Sequence, residues 1–288
     1  MGGRPFPASA ESRERPAMKF RRHKKRLKKT ALTVIGVAAA LLLIPYFALT
    51  YIALGLIDLW RNERKTFELF DRYFFGNGFF TAWLFAPFNL LVDLFCYRNR
   101  RIYRLEDFSE EAHREISEVL SVFDANKDTI IERIDKELGT ERRGMYVYRW
   151  FGKPYNRDIA EFNKPFEHLR TIAVSVFDGN ESTTAHFGPL RLTLRILYNL
   201  TPAESPDVFI ECGHTKHYWH EDPLFIFDDT LIHRSVNEKE GRRYCVFMDV
   251  MRPSPYPRLL SALLRPLAAV SQQSRSIFYR RWKMLGAS

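Results

Sequence analysis

Cysteine is scarce in this chain: Cys96, Cys212 and Cys245 are the only three among 288 residues. They lie far apart and show no C-x-x-C spacing, which argues against a disulfide framework and for a reducing compartment. There is no P-loop, no G-x-S-x-G and no internal repeat, and no βαβ alternation that would suggest a Rossmann domain. Acid is nearly missing from both ends. Residues 1–29 hold eleven Lys/Arg against Glu11 and Glu14, and residues 252–288 hold seven Lys/Arg and no acid, so the middle, 30–251, is about −6 within a net charge of +10. A nucleic-acid-binding domain would carry its basic charge on the folded body. Here the body is acidic and both basic ends adjoin apolar sequence. That pattern fits an anionic membrane surface, with no nucleic acid as partner.

What the chain does have is apolar sequence, 46% of its residues, and much of it is in one run. Residues 30–60, TALTVIGVAAALLLIPYFALTYIALGLIDLW, contain a single charge, Asp58. A helix of that length would reach roughly 46 Å against a hydrocarbon core of about 30 Å, so a transmembrane helix is expected, tilted or kinked at Pro45. Residues 1–29 read as a basic, disordered cytoplasmic tail. Residues 61–104 hold a second apolar segment, FFTAWLFAPFNLLVDLF (79–95), a second crossing, a re-entrant segment or an interfacial helix, followed by the basic linker YRNRRIYR. Arginines there favour a cytoplasmic return, so the rest of the chain is expected on the cytoplasmic face of the membrane.

From residue 105 the pattern becomes globular. Residues 105–145 form a helical lead-in, with apolar residues at three- and four-residue spacing over Glu110 to Leu120 and Lys127 to Leu138. Within 146–255, the stretches 171–177, 190–200, 208–212, 224–227 and 244–250 are short, β-branched or aromatic and separated by turn residues, which predicts an all-β sandwich or barrel. Alternation in LRLTLRILYN places Leu190, Leu192, Leu194 and Ile196 on one face and Arg191, Thr193, Arg195, Leu197 and Asn199 on the other. Two arginines on one strand face mean a solvated edge or an anion-binding interior. Residues 256–288 read as basic amphipathic helices, over 258–270 and 275–285, that dock on the core or lie on a membrane.

Of eight histidines, His214, His217 and His220 in HTKHYWH recur at intervals of three, but Gly213 and Pro223 bracket them as a hairpin, on which three-residue steps alternate faces. His186, in AHFGP, and His233, in FDDTLIHRSV, each close a predicted strand. Histidines from two strands are a common way to hold a first-row metal; satisfied or surface histidines are the alternative. Gly188 stands where an iron oxygenase usually has a carboxylate.

AHFGP, LRI, FIFDDTLIHRSVNEKEGRR and DVMRP, in that order over roughly 145–255, resemble the aspartyl/asparaginyl β-hydroxylase family of Fe(II)- and 2-oxoglutarate-dependent dioxygenases. The resemblance implies a double-stranded β-helix, a jelly-roll or cupin-like barrel, with O2 as the other co-substrate. It implies that His186 and His233 bind iron, Gly188 being like that of two-histidine members. Arg243 would grip the distal carboxylate of 2-oxoglutarate, Ser175 would supply a helper hydroxyl, and Arg195 would make a further co-substrate contact. The family's usual LRxHLGL is LRILYNL here, so Leu197 replaces a histidine and Asn199 a glycine. The N-terminal apolar segment, APFN after it and IHRSVNEKEGRR before DVMRP look like the bacterial membrane-bound branch that hydroxylates acyl chains of lipid A or ornithine lipids beside the carbonyl. The other functions weighed are peptidyl Asp/Asn hydroxylation and a non-catalytic, membrane-anchored β-barrel.

Overall fold

The computed structural model describes residues 16–76, 82–238, 240–273 and 282–286. Four helices come first: α1 (Pro16–Leu43), α2 (Pro45–Trp60), α3 (Phe67–Phe75) and α4 (Ala86–Leu94). The short strand β1 (Ile102–Tyr103) leads to α5 (Glu110–Ala125) and α6 (Lys127–Leu138). Then follow β2 (Arg143–Trp150), β3 (Lys153–Pro154), β4 (Leu169–Phe177), β5 (Thr193–Asn199), β6 (Val208–Cys212), β7 (Thr215–Tyr218), β8 (Leu224–Phe227), β9 (His233–Asn237) and β10 (Arg243–Met251). Helix α7 (Pro257–Gln273) and strand β11 (Lys283–Leu285) close the described chain.

The apolar run of residues 30–60 is not one helix, which corrects the expectation of a single transmembrane span. Pro45 has no N–H and its ring crowds the carbonyl one turn back. The chain therefore breaks at Ile44 (φ −141°, ψ 60°) and restarts as α2 with Pro45 in its first turn. No helix among the described residues is long and apolar enough to cross a membrane. The basic run is also no disordered tail beyond residue 15: α1 begins at Pro16 and carries the lysines and arginines, good helix formers, straight into the apolar sequence. Residues 1–15 lie outside the described residues. Helix α2 turns Ala48, Gly55 and Asp58 inward. Gly55 permits close approach, because a Cβ there would sit 3.4 Å from the Phe74 ring.

The body is mainly antiparallel β. One sheet runs β1-β8-β5-β10-β4-β2-β11, with β3 beside β2, and a smaller one runs β7-β6-β9. Strand β10 shows how the large sheet is built. Tyr244, Val246, Met248 and Val250 face α5 and α6 and join Ile116, Phe123 and Ile134 in the main core. The alternate residues Arg243, Cys245, Phe247 and Asp249 face the other way, as period two requires. On that side Cys245 packs with Phe225 and Phe227 of β8, Val208 and Ile210 of β6, and Trp219, so one apolar cluster joins both sheets. Directly opposite residues share a face. The pairs Cys245–Ser175, Asp249–Arg195 and Phe247–Leu197 therefore place Ser175, Arg195 and Leu197 on the interior side too.

At the C-terminus, α7 buries Leu260 and Leu264 against Val92 and Leu192, so it docks on the core. The second expected helix, 275–285, lies mostly outside the described residues, and its last part is a strand instead: Lys283–Leu285 pairs parallel with β2, burying Leu285.

Candidate active site

His186 and His233 are 47 residues apart yet face each other across an isolated antiparallel bridge. The N–H of each donates to the carbonyl of the other at 3.0 Å. Their ring centroids are 4.2 Å apart. Each ring repeats one local pattern: Nδ1 lies against the carbonyl two residues back, Thr184 O at 2.8 Å for His186 and Leu231 O at 2.9 Å for His233. A carbonyl only accepts, so Nδ1 carries the proton and Nε2 presents its lone pair. Burial lowers the pKa of both, that of His233 well below the ordinary value with His186 adding to the effect, so both rings are neutral. Both keep partial exposure and so border open space.

The space beside Gly188 is filled by a carboxylate from elsewhere. A Cβ on Gly188 would lie 2.4–2.5 Å from the three carboxyl atoms of Asp229. The Gly188 N–H also donates to Asp229 O at 2.7 Å. Glycine at 188 is thus required by Asp229, which brings a carboxylate to the His186 loop by a different route. Arg195 donates to Asp229 Oδ2 at 2.8 Å, pairs with Asp249 Oδ1 at 3.1 Å, and lies 3.5 Å from the centroid of Phe247. Burial pushes the Asp229 carboxyl up to about 7; Arg195 opposes this, and Asp249 and Asp228 add to it. Arg195 is therefore held between two acids, where the resemblance implied a co-substrate contact.

Arg243 is the opposite case. It is buried, and its Nη2 donates to Ser235 Oγ at 2.7 Å, while Nε and Nη1 are buried without a partner. Its guanidinium lies 5.0 Å from the Phe177 ring and 5.5 Å from that of Trp219, whose buried Nε1 also lacks a partner. Burial lowers the Arg243 pKa. Unmade hydrogen bonds of buried donors cost about 1–3 kcal/mol each, more for charged groups. Such a cluster of bare donors is a receptor for an anion, and a guanidinium fork suits a carboxylate. Ser235 sits two residues past His233 on β9, hence on the same face and roughly 7 Å along the strand. Ser175 shares the interior face, but its hydroxyl donates to Cys245 O at 3.1 Å. Ser235, not Ser175, meets Arg243 directly. Leu197 packs on the interior cluster with Phe225 and Phe227, so the strand face that carries it is an interior and not a solvated edge.

The N-terminal helices clamp this arrangement. Asp228 accepts from Arg61 Nη1 (2.9 Å), Asn99 Nδ2 (2.5 Å) and the Thr230 N–H (2.9 Å), the last being an Asx turn. Burial alone would raise its pKa, but Arg61, Arg191 and the Thr230 hydroxyl hold it well below the usual carboxylate range. Asn62 Oδ1 accepts from the Ile232 N–H at 3.1 Å, next to His233. Fully buried Arg191 binds Asp58 of α2 and Asp93 of α4, and Asp58 accepts from Tyr73 of α3 at 2.6 Å. Tyr73 stacks edge-on against Phe187, between His186 and Gly188.

The structure thus brings His186, His233, Asp229 and Arg195 together on one side of the barrel interior, with Ser235 leading to Arg243. Sequence reasoning missed Ser235, Trp219 and Asp249. Ser235 was legible by period two from His233; Trp219 was hidden inside a motif scanned for its histidines. Those histidines do not converge: His217 Nε2 meets Asp222 O at 2.9 Å, and His214 Nδ1 accepts from Arg64. Among the described residues no group of three or more His, Cys, Asp or Glu is arranged to hold a metal ion. The available donor set is the imidazole pair, whose bare, neutral nitrogens suit a first-row metal.

The model of the aspartyl/asparaginyl beta-hydroxylase family matches residues 157–253, which hold all the residues of this interior. The chain is similar to the ornithine lipid ester-linked acyl 2-hydroxylase of Rhizobium tropici, 30% identical over 90 residues, which is 31% of this chain and 32% of that protein. The match therefore spans about a third of the relative's length. Among solved structures, a viral collagen prolyl hydroxylase from Paramecium Bursaria Chlorella virus-1, in its 2OG complex, aligns at 14% identity over 45% of this chain and 90% of its own, with a TM-score of 0.32. A cupin superfamily protein from Desulfitobacterium hafniense DCB-2 aligns at 11% identity over 31% and 72%, with a TM-score of 0.23. Likenesses this distant carry no argument about chemistry.

Proposed function

We propose that the chain is an Fe(II)/2-oxoglutarate-dependent hydroxylase acting beside the carbonyl of an acyl chain in a membrane lipid. The observation that carries the reading is the pairing of two neutral imidazoles, each with a bare Nε2, with a buried guanidinium whose Nε and Nη1 have no hydrogen-bond partner. His186 and His233 would hold the iron. Arg243, with Ser235 and Trp219 beside it, would take the far carboxylate of 2-oxoglutarate. Bound iron with 2-oxoglutarate supplies dioxygen activation, with succinate and carbon dioxide as by-products and one oxygen atom transferred to a C–H bond. The chain's own residues bind and orient. Thr184 O and Leu231 O fix the tautomer of each histidine. The Arg195–Asp229–Asp249 cluster keeps a carboxylate beside the His186 loop, and Leu197, Phe225 and Phe227 keep the interior dry.

A lipid substrate is supported by the similarity to a lipid acyl hydroxylase and by the surface. Leu42, Leu43, Tyr46 and Phe67 are each at least 80% exposed, and Phe47, Ile57 and Trp60 are exposed beside them. A patch of this kind marks a partner or a membrane. The basic run of residues 19–29 precedes it in the sequence, which suits an anionic inner-leaflet surface with the barrel on the cytoplasmic side, where 2-oxoglutarate and ferrous iron are available. Mass spectrometry of lipids and proteins from cells with and without the chain tests the reading. A gain of one oxygen on an acyl chain is expected. The same gain on Asp or Asn of a protein, with unchanged lipids, would replace this reading with peptidyl hydroxylation.

A further inference from the structure

The linker YRNRR (97–101) reaches the interior described above through Asn99, which bonds Asp228. It opens on a cleft of about 270 Å3 lined by Arg61, Asp93, Arg98, Asn99, Arg101 and Arg252. These side chains come from three places: the end of α2, the region from α4 to β1, and the residue after β10. Four guanidiniums thus share the lining of the cleft with one carboxylate, that of Asp93. Arg61 binds Asp58 and Asp228, Arg101 binds Glu63, and Arg252 binds Asp93 and Tyr97 O. Each guanidinium has five N–H donors, so these pairs leave donors over. Arg252 is 3% exposed and its Nε is buried without a partner. Arg98 is exposed and forms no ion pair among the described residues.

The backbone of this wall is also unusual. Arg101 has φ 71°, in the left-handed region that non-glycine residues rarely adopt. It is held there by its N–H donating to Asn99 Oδ1 (2.8 Å) and its carbonyl accepting from the Asp228 N–H (2.8 Å). Strain of this kind persists where the surroundings over-determine it, often at ligand clamps.

We propose that this cleft is an oxyanion site that takes the phosphate or carboxylate of the substrate lipid's headgroup, a proposal that rests on the lipid reading above. The cleft adjoins the apolar surface: Ile57 and Trp60 of α2, Leu91 and Leu94 of α4, and Tyr97 are all exposed. A charged cleft at the margin of such a surface is where a lipid's headgroup meets its chains. Its volume falls just below the roughly 300–1,000 Å3 of small-molecule sites, so it suits an anionic group and not a whole lipid. Arg61 and Asn99 both bond Asp228, five residues before His233, so one hydrogen-bonded segment joins the cleft to the imidazole pair.

The test uses the detergent-solubilised full chain, Arg98→Ala, and Arg98→Ala/Arg101→Ala. A charge control, Arg114→Ala/Lys136→Ala, removes two exposed cations from α5 and α6. Arg98→Ala breaks no ion pair among the described residues and guards against misfolding of the double variant. Inorganic phosphate is titrated against thermal unfolding. Binding is then compared for phosphatidylcholine vesicles with and without phosphatidic acid, at about 0.15 M salt to screen the basic N-terminus. Wild type and control are expected to be stabilised by phosphate and to favour the phosphatidic acid vesicles. The double variant should need about tenfold more of each, as loss of charge-assisted hydrogen bonds implies, with Arg98→Ala between. Phosphate discrimination without vesicle discrimination would overturn the headgroup assignment in favour of a soluble oxyanion. Equal behaviour of variant and control in both arms would overturn the site. Iron and 2-oxoglutarate binding are followed alongside: their loss in the wild type sinks the hydroxylase reading, whereas a failed phosphate arm with both intact sinks only the cleft.

Discussion

Replacing Gly188 with alanine places a methyl group within 2.4–2.5 Å of Asp229 Cγ, Oδ1 and Oδ2. That is about 1 Å inside ordinary contact for three atoms at once. The penalty is steric and not torsional, since Gly188 is not among the residues with positive φ. The carboxylate cannot swing away cheaply, because Arg195 holds Oδ2 at 2.8 Å and the Gly188 N–H holds the Asp229 carbonyl at 2.7 Å. Overpacking costs about 1–3 kcal/mol, and a loosened charged hydrogen bond adds about 1–3 more. At ~2–4 °C per kcal/mol, Gly188→Ala should lower the Tm of the purified protein by about 4–24 °C. Asp229→Ala removes the obstruction, so Gly188→Ala in that background should cost almost nothing, a coupling equal to the whole single-variant penalty of about 2–6 kcal/mol. A Tm for Gly188→Ala within about 1 °C of wild type, or the same drop in both backgrounds, would refute the reasoning.

Other outcomes follow from the same geometry. Asp229 has a folded pKa of about 7, above its ordinary carboxylate value, so the folded state binds more protons and this group's contribution to stability declines as pH rises from about 4 through 7. The Tm of chelator-treated Asp229→Asn should therefore gain on wild type between pH 5 and 8, and a constant difference would contradict the raised pKa. Arg191→Met takes one of two arginine partners from each of Asp58 and Asp93, which keep Arg61 and Arg252, and should destabilise by about 1.5–3 kcal/mol in denaturant unfolding; a loss under about 1 kcal/mol would mean that the helices are tethered and not built in. Ser235→Ala should weaken 2-oxoglutarate binding by about three- to tenfold through its bond to Arg243, while Ser175→Ala, whose hydroxyl serves a backbone carbonyl, should do less.

Much of the barrel was legible because period two survives in its strands. The stretches 208–212 and 224–227 are β6 and β8 as read, and Lys127–Leu138 is α6. The same alternation puts Arg243 and Asp249 on the interior face of β10, but Arg243 was read from the resemblance alone and Asp249 was not read at all. Local pattern could not reveal contacts made over long separations. The Asp229 carboxylate fills the place left by Gly188, 41 residues away in the chain. Asp58, the one charge in the apolar run, is there for Arg191, which lies 133 residues on. The same run reads as one span by hydropathy, because a window average ignores the proline that ends α1. Arg195 looked like a free cation because the acids that meet it lie on other elements.

The central claim is that the imidazole pair and the Arg243 fork form one site for iron and 2-oxoglutarate. The direct measurement is an anaerobic titration of the Fe(II)-loaded full chain with 2-oxoglutarate, read by calorimetry and by the visible charge-transfer band of the chelate. Wild type should bind both and develop the band, His233→Ala should fail to hold iron, and Arg243→Met should keep iron but lose most of its affinity for 2-oxoglutarate. Undiminished binding of 2-oxoglutarate by Arg243→Met, or of iron by His233→Ala, would contradict the account.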